Sequence, residues 1–251
     1  MSRVLITAGG SGIGQAMAQA FAKSGFEVWI TDIDAELLGK CPDSWQKTQV
    51  DSSDEAGVSK LFSQIEDRWG GLDAICANAG IAGPTAVVED IKIEDWQRCV
   101  SVNLEGAFLS AKYGGPMLKD TNGSIVLTAS TAGIYGFPNR APYAAAKWGI
   151  IGLMKTLAME WGPAGVRANA ICPGAVEGPR MRGVMEREAI AKGTSYQKIY
   201  DGYAGGTSMR TLVTADDIAN MAVFLCSSGA RLVSGQVIAV DGHTENPDPK
   251  V

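Results

Sequence analysis

Between residues 130 and 147 the chain reads STAGIYGFPNRAPYAAAK, with Tyr143 followed four residues later by Lys147 and preceded by Ser130. Four residues is about one helical turn, so the Tyr143 and Lys147 side chains would stand together on one helix face. A phenol titrates near ~10 and is a poor proton carrier at neutral pH. A fixed ammonium beside it favours the phenolate and lowers that value. Such a pair suits moving a proton on or off an alcohol oxygen, and a serine hydroxyl from another segment would hold that oxygen. Of the six tyrosines, only Tyr143 has Lys at this position. Tyr and Lys at helical spacing often share nothing but a solvated face, so the surrounding elements must decide.

Those elements alternate. Arg3–Thr7 (RVLIT) reads as a buried strand, followed by AGGSGIG at 8–14 and a helical pattern from Gln15 to Lys23. Strand, glycine-rich turn and helix are the setting in which a backbone approaches a pyrophosphate and helix N–H groups hold its charge. Gly9, Ser11, Gly12 and Ile13 are the candidates in that turn. Phe26–Thr31 is a second strand with Asp32 at its end, 18 residues beyond Gly14. A carboxylate there can accept both adenosine ribose hydroxyls and repel a 2′-phosphate, which favours NAD over NADP. The competing reading of Asp32 is a cap on the next helix. Trp45–Val50 ends in Asp51, whose carboxylate could meet an adenine amino group. Leu72–Ala77 leads into Asn78-Ala79-Gly80, a small turn at a strand's carboxyl end, where cofactors lie in open α/β sheets.

Further along, helical patterns cover 55–69 and 96–119, the latter carrying Asn103, and Ser124–Thr128 is a fifth strand just before Ser130. Pro142–Trp161 is the helix bearing Tyr143 and Lys147, Val166–Cys172 a sixth strand ending at Pro173-Gly174, Ala215–Cys226 a helix, and Gln236–Val240 the last strand. Residues 175–213 lack strand patterning. The alternation predicts an α/β fold, a Rossmann-like, doubly wound parallel sheet of about seven strands, with 1–251 as a single domain and right-handed crossovers.

Composition narrows the function classes. At 46% apolar, 20% charged and a net charge of −5, the chain carries no Lys/Arg block to track phosphates, so no nucleic-acid partner is expected. The cysteines at 41, 76, 99, 172 and 226 are odd in number, scattered and without Cys-x-x-Cys, which predicts reduced thiols in a cytoplasmic protein and no zinc site. No apolar stretch approaches the ~20 residues of a membrane span, and the chain opens without a signal-peptide pattern.

In order and spacing, TAGGSGIG (7–14), Asp51, NAG (78–80), Asn103, Ser130, YAAAK (143–147), PG (173–174) and the terminal VDG (240–242) resemble the short-chain dehydrogenase/reductase family along nearly the whole chain. The resemblance implies a dinucleotide across the strand carboxyl ends, with cofactor contacts extending to Tyr143, Lys147, Pro173, Gly174 and Val176. It implies Tyr143 as general acid/base, Lys147 lowering its pKa and binding the nicotinamide ribose, Ser130 orienting the substrate oxygen, and Asn103 holding a water that links Lys147 to solvent. Hydride would pass between nicotinamide and substrate carbon, without a metal. A homotetramer assembled through the Tyr143 helix and the last strand and helix is the family expectation.

Three positions depart from the family pattern. Ala8 replaces the first turn glycine, Gly178 stands where a threonine often contacts the carboxamide, and His243 follows Asp241-Gly242 in place of a glycine. The reading that results is an NAD-dependent oxidoreductase interconverting a secondary alcohol and a ketone, with 175–213 as a substrate lid. Arg140, Arg180 and Arg182 are candidate contacts for an anionic substrate group, set against the reading of the lid's charges as a wet helix face. His243 is a weaker substrate candidate. The alternatives are a 3-oxoacyl thioester reductase, whose relatives mostly use NADPH, and a non-catalytic dinucleotide-sensing protein. Enoyl reductases, which space Tyr and Lys more widely, fit poorly.

Overall fold

The computed structural model describes residues 2–246. Seven parallel strands form one sheet in the order β3-β2-β1-β4-β5-β6-β7. They are β1 (Arg3–Ile6), β2 (Glu27–Asp32), β3 (Gln46–Gln49), β4 (Ala74–Ala77), β5 (Ser124–Thr128), β6 (Arg167–Pro173) and β7 (Val237–Val240). The central strands are buried along their length because helices cover both faces, which is why they read as continuous apolar runs.

Alternate side chains separate two cores. Leu5, Ile75, Ile125 and Leu127 face α3 (Glu55–Trp69), α5 (Gly106–Thr121) and α6 (Ala141–Trp161), meeting Phe62, Met117, Met154 and Trp161. Val4, Ile6, Cys76 and Val126 face the other way, toward α1 (Gly12–Lys23), the short α2 (Ala35–Gly39) and α9 (Ala215–Cys226), packing with Met17, Phe21, Leu38 and Ile218. Helix α4 (Ile93–Val100) continues through a π-helical turn, Ser101–Glu105, into α5. The expected strand-free segment 175–213 folds as α7 (Pro179–Lys192) and α8 (Tyr196–Gly205), with their own small core of Met185, Ala189, Ile199 and Leu212.

The chain order reverses between β1 and β4, and the strand carboxyl ends on either side of that reversal open a crevice. Among the described residues no helix is long and apolar enough to cross a membrane.

Candidate active site

One cleft of about 600 Å³ runs along these carboxyl ends. Its first wall is the turn between β1 and α1. Ser11, Gly12, Ile13 and Gly14 line it. Helix α1 has no acidic residue in its first turn and no side-chain cap from Ser11, and its first backbone bond runs from Gln15 N to Ser11 O at 3.1 Å. The opening N–H groups therefore face the cleft with the positive end of the helix dipole behind them. Gly9 lies behind the wall: a Cβ there would come 2.6 Å from Ile30 Cγ2, so its smallness lets the turn pack on β2. At Gly14 a Cβ would fall 2.0 Å from Ala8 O, which locks the helix start under the turn. Ala8 itself sits at φ +51°, the left-handed conformation that suits the glycine it replaces.

Asp32 lies at the end of β2 in the cleft wall and is 8% exposed. Its carboxylate accepts Gly10 N at 3.0 Å and Asp34 N at 3.1 Å. The cap of α2 is Asp34, which accepts Glu36 N and Leu37 N, so the helix-cap reading of Asp32 is corrected. Asp51 accepts Ser53 N and Ser53 Oγ and pairs with Arg98 at 3.0 Å. Partial burial pushes its carboxyl up, but the Ser53 bonds and the Arg98 guanidinium outweigh that and hold it below its ordinary value. Arg98 lines the same wall and was not anticipated; only the crossover from α3 to α4 brings it beside Asp51.

The Asn78-Ala79-Gly80 turn is tied across three strands. Thr7 Oγ1 accepts Asn78 N and Ala79 N, both at 2.9 Å, Asn78 Nδ2 donates to Thr7 O at 3.2 Å, and Thr128 Oγ1 donates to Asn78 Oδ1 at 3.2 Å. Gly80 permits close approach, since a Cβ there would lie 2.5 Å from Asn103 Oδ1 and 3.4 Å from Lys147 Nζ.

Ser130, Tyr143 and Lys147 converge beyond this turn. Lys147 is 2% exposed, donates to Thr128 O at 2.8 Å, and has Nζ 5.5 Å from the centre of the Tyr143 ring. Burial pushes the Lys147 pKa down. Burial pushes the Tyr143 phenol up, but Lys147, Arg180, a hydrogen bond with Ser130 and Arg140 together hold it below its ordinary value. Asn103, fully buried in the π-helical turn, donates Nδ2 to Ile81 O at 3.0 Å and Cys99 O at 2.9 Å. Its Oδ1 has no partner, a buried acceptor left beside the lysine. Such π-turns recur at functional sites because they redirect one side chain within a helix.

Pro173, Gly174, Val176 and Gly178 line the side opposite α1, and Gly178 takes φ +144° ahead of α7. Of the three candidate arginines, Arg140 and Arg180 line the cleft and Arg182 does not. Arg182 lies over the Tyr196 ring at 5.8 Å, in a separate groove between α7 and α8. His243 also lies off the cleft, exposed, with Nδ1 2.5 Å from Ser208 Oγ. Its neighbours Thr244 and Asn246, together with Phe137 and Tyr203, line the cleft instead. The lid aromatics Tyr196, Tyr200 and Tyr203 are the sequence's candidates for lining a pocket, and of them Tyr203, on α8, reaches this cleft while Tyr196 and Tyr200 line the separate groove. Sequence spacing gave no sign of Phe137, Thr244 and Asn246.

The polar groups suit a dinucleotide: open N–H donors at the start of α1, an accepting carboxylate at the end of β2, and the orphaned Asn103 acceptor oxygen beside Lys147. Fold and site together define an oxidoreductase of the Rossmann type. A family model described as Enoyl-(Acyl carrier protein) reductase matches residues 7–243. Levodione reductase of Leifsonia aquatica is 34% identical over 249 residues, covering 95% of this chain and 92% of that protein. A crystal structure of levodione reductase superposes with a TM-score of 0.90 at 33% identity, over 96% of both chains. The 3-oxoacyl-(acyl-carrier-protein) reductase FabG of Thermotoga maritima is 34% identical over 246 residues, 95% of each chain. A crystal structure of NAD+-bound xylitol dehydrogenase has a TM-score of 0.92 at 28% identity, covering 96% of this chain and 98% of that one. The chain belongs to the short-chain dehydrogenase/reductase family.

Proposed function

We propose that this protein is an NAD-dependent oxidoreductase that interconverts a secondary alcohol and the matching ketone, with Tyr143 as general acid/base. The observation that carries the reading is one cleft bringing Tyr143, Ser130 and Lys147 together, with the phenol held below its ordinary pKa. Ser130 would hydrogen-bond the substrate oxygen while Tyr143 takes its proton during oxidation or returns it during reduction. Lys147 would keep the phenolate accessible and bind a ribose hydroxyl. Asn103 Oδ1 would hold a water that relays the proton outward. The nicotinamide ring, when bound, supplies or accepts the hydride.

Gly12, Ile13 and Ser11 would hold the pyrophosphate, with Gly9 setting the turn's position. Asp32 would bind the adenosine ribose, Asp51 the adenine, and Asn78, Ala79, Gly80, Pro173, Gly174 and Val176 the nicotinamide half. The preference for NAD is supported by Asp32 in the cleft wall and by Ile33, 58% exposed beside it, where a 2′-phosphate would need a cation. Helices α7 and α8 would act as the substrate lid. The free thiols support a cytoplasmic setting, and exposed Trp148 and Met159 on α6 support assembly with further copies, a tetramer by the family's habit.

The Thermotoga maritima relative carries a second reading, reduction of a 3-oxoacyl thioester through the same residues. The test is cofactor-linked turnover with NAD and NADP on a panel of secondary alcohols, ketones and a short 3-oxoacyl thioester. Expected is turnover of alcohols or simple ketones with NAD, lowered roughly 10²–10⁴-fold in Tyr143→Phe. Turnover that survives in Tyr143→Phe refutes the mechanism, and thioester reduction with NADP selects the second reading.

A further inference from the structure

Arg140 is 7% exposed, and among the described residues no carboxylate lies within ion-pair distance of it. Its Nη2 donates to Ala82 O at 3.0 Å, while its buried Nε has no partner. A guanidinium taken out of water is costly unless an anion answers it. This one is placed in the cleft wall, with Cζ 5.1 Å from the centre of the Tyr143 ring. Helix α6 begins at the same point and has no acidic residue in its first turn, so its dipole adds to the demand for negative charge.

Arg180, exposed at the start of α7, lines the cleft from the other side and likewise has no ion-pair partner among the described residues. The nearby carboxylates are engaged elsewhere. Glu177 accepts Tyr200 Oη at 3.3 Å, and Glu188 accepts Tyr203 Oη at 2.7 Å and pairs with Lys192 at 3.0 Å. Asp241 accepts His243 N and Thr244 N, both at 3.0 Å. With Lys147 added, three cations meet beside one phenol in a chain whose net charge is −5. Arg182, by contrast, lies over the Tyr196 ring outside this cleft.

We propose that Arg140 and Arg180 bind a carboxylate or sulfonate of the substrate, so that this protein acts on small hydroxy-acid or oxo-acid anions whose acidic group lies within a few bonds of the reacting carbon. The assignment rests on Tyr143 being the proton carrier only for where the reacting carbon sits. A planar fork suits both oxyanions bidentately, and Arg140 is buried enough for the bond to be strong.

The test compares kcat/KM for two- and three-hydroxycarboxylates and hydroxyalkanesulfonates of three to five carbons with kcat/KM for their neutral amides. The anion-to-amide ratio is the readout, because effects of a substitution on the proton carrier itself cancel in it. Expected is a strong anion preference that falls roughly 10- to 100-fold in Arg140→Gln and in Arg180→Gln, the size of a lost charged hydrogen bond. Arg140→Lys, which keeps the charge without the fork, falls between. Arg180 is exposed, so its variant folds even if Arg140→Gln does not. A ratio near one in the unaltered protein, or one unchanged in Arg180→Gln, overturns the proposal.

Propanoate and propane-1-sulfonate, which cannot react, are tested for thermal stabilisation of the NAD-saturated protein, with propanamide as control. If no alcohol turns over, the reading of Tyr143 fails while this arm still decides. Stabilisation by propanoate that is lost in Arg180→Gln sustains the anion site, and equal response of both proteins removes it.

Discussion

Replacing Gly14 by alanine should destabilise this protein, against the ordinary sign of such a change. Gly14 lies within α1, and alanine in a helix interior normally gains about 0.5–1 kcal/mol over glycine. Here the added Cβ would lie 2.0 Å from Ala8 O, 2.8 Å from Ala8 C and 2.9 Å from Asn78 Nδ2. The first two are backbone atoms, and relief requires the helix start and the turn to part by about 1 Å, since carbon and oxygen settle near 3.0 Å or beyond. Neither side can give easily. Met17, Ala18 and Phe21 of α1 are fully buried in one core with Ile218 and Ala219 of α9, and Ala8 is already at φ +51°. Overpacking of this kind costs about 3 kcal/mol, the upper end of the usual span. For a chain of this size that lowers the apparent Tm by roughly 6–12 °C. Gly12→Ala is the control: φ is +53°, but no heavy atom lies within 4 Å of the added Cβ, leaving only left-handed strain of about 1 kcal/mol. Thermal unfolding followed by circular dichroism separates the two. If Gly14→Ala unfolds at or above the parent temperature, helix propensity has won and the interlock between turn and helix is refuted.

Ala8→Gly should move stability the other way, by about 0.5–1 kcal/mol, because relief of a left-handed alanine exceeds the entropy that glycine adds to the unfolded chain; a lower unfolding midpoint in urea would contradict it. With Tyr143 as the proposed proton carrier, alcohol oxidation needs its phenolate and its rate should rise with pH to a plateau through a pKa below a free tyrosine's ~10, while ketone reduction needs the phenol and falls through the same point. Removing a cation that lowers this pKa, as in Arg180→Gln, should shift both profiles to higher pH, and unmoved profiles would show that its charge is not felt at the phenol. Asp32→Ala should narrow the gap between NAD and NADP in kcat/KM by roughly tenfold or more, the weight of hydrogen bonds to a charged group, and a preserved gap would place the discrimination elsewhere.

The sheet was legible in the chain because a doubly covered parallel strand must be apolar throughout, and each of RVLIT, LDAICA and SIVLT declares itself as a short run between turn residues. Boundaries moved by up to three residues: the first helix begins at Gly12, inside the glycine turn, where the pattern started it at Gln15. Ser130 and the Tyr143–Lys147 pair were equally legible, since strand end and helical period place them without tertiary knowledge. Arg140 and Arg182 were not separable by sequence. Arg140 precedes α6 and Arg182 lies in α7, and only the packing of α6 against the 78–83 turn buries one while α8 offers the other an aromatic ring. Arg98 and Thr7 were silent for a related reason: each acts through a partner more than forty residues away, Asp51 and Asn78, and no local pattern encodes such a meeting.

Asp32 carries a consequence for how this protein can change. Its two oxygens already answer Gly10 N and Asp34 N, one from the turn between β1 and α1 and one from the approach to α2. A lineage drifting toward a 2′-phosphorylated cofactor would have to discharge this side chain, and most replacements would leave the buried Gly10 N unanswered at about 1–3 kcal/mol, with Asp34 N left to water. Asparagine, which keeps one acceptor oxygen, is the step that loses least. Under the proposed role of Asp32, cofactor choice and the integrity of the turn are inherited together, and a switch of preference is a path of ordered substitutions in which the scaffold must be secured before the charge is given up.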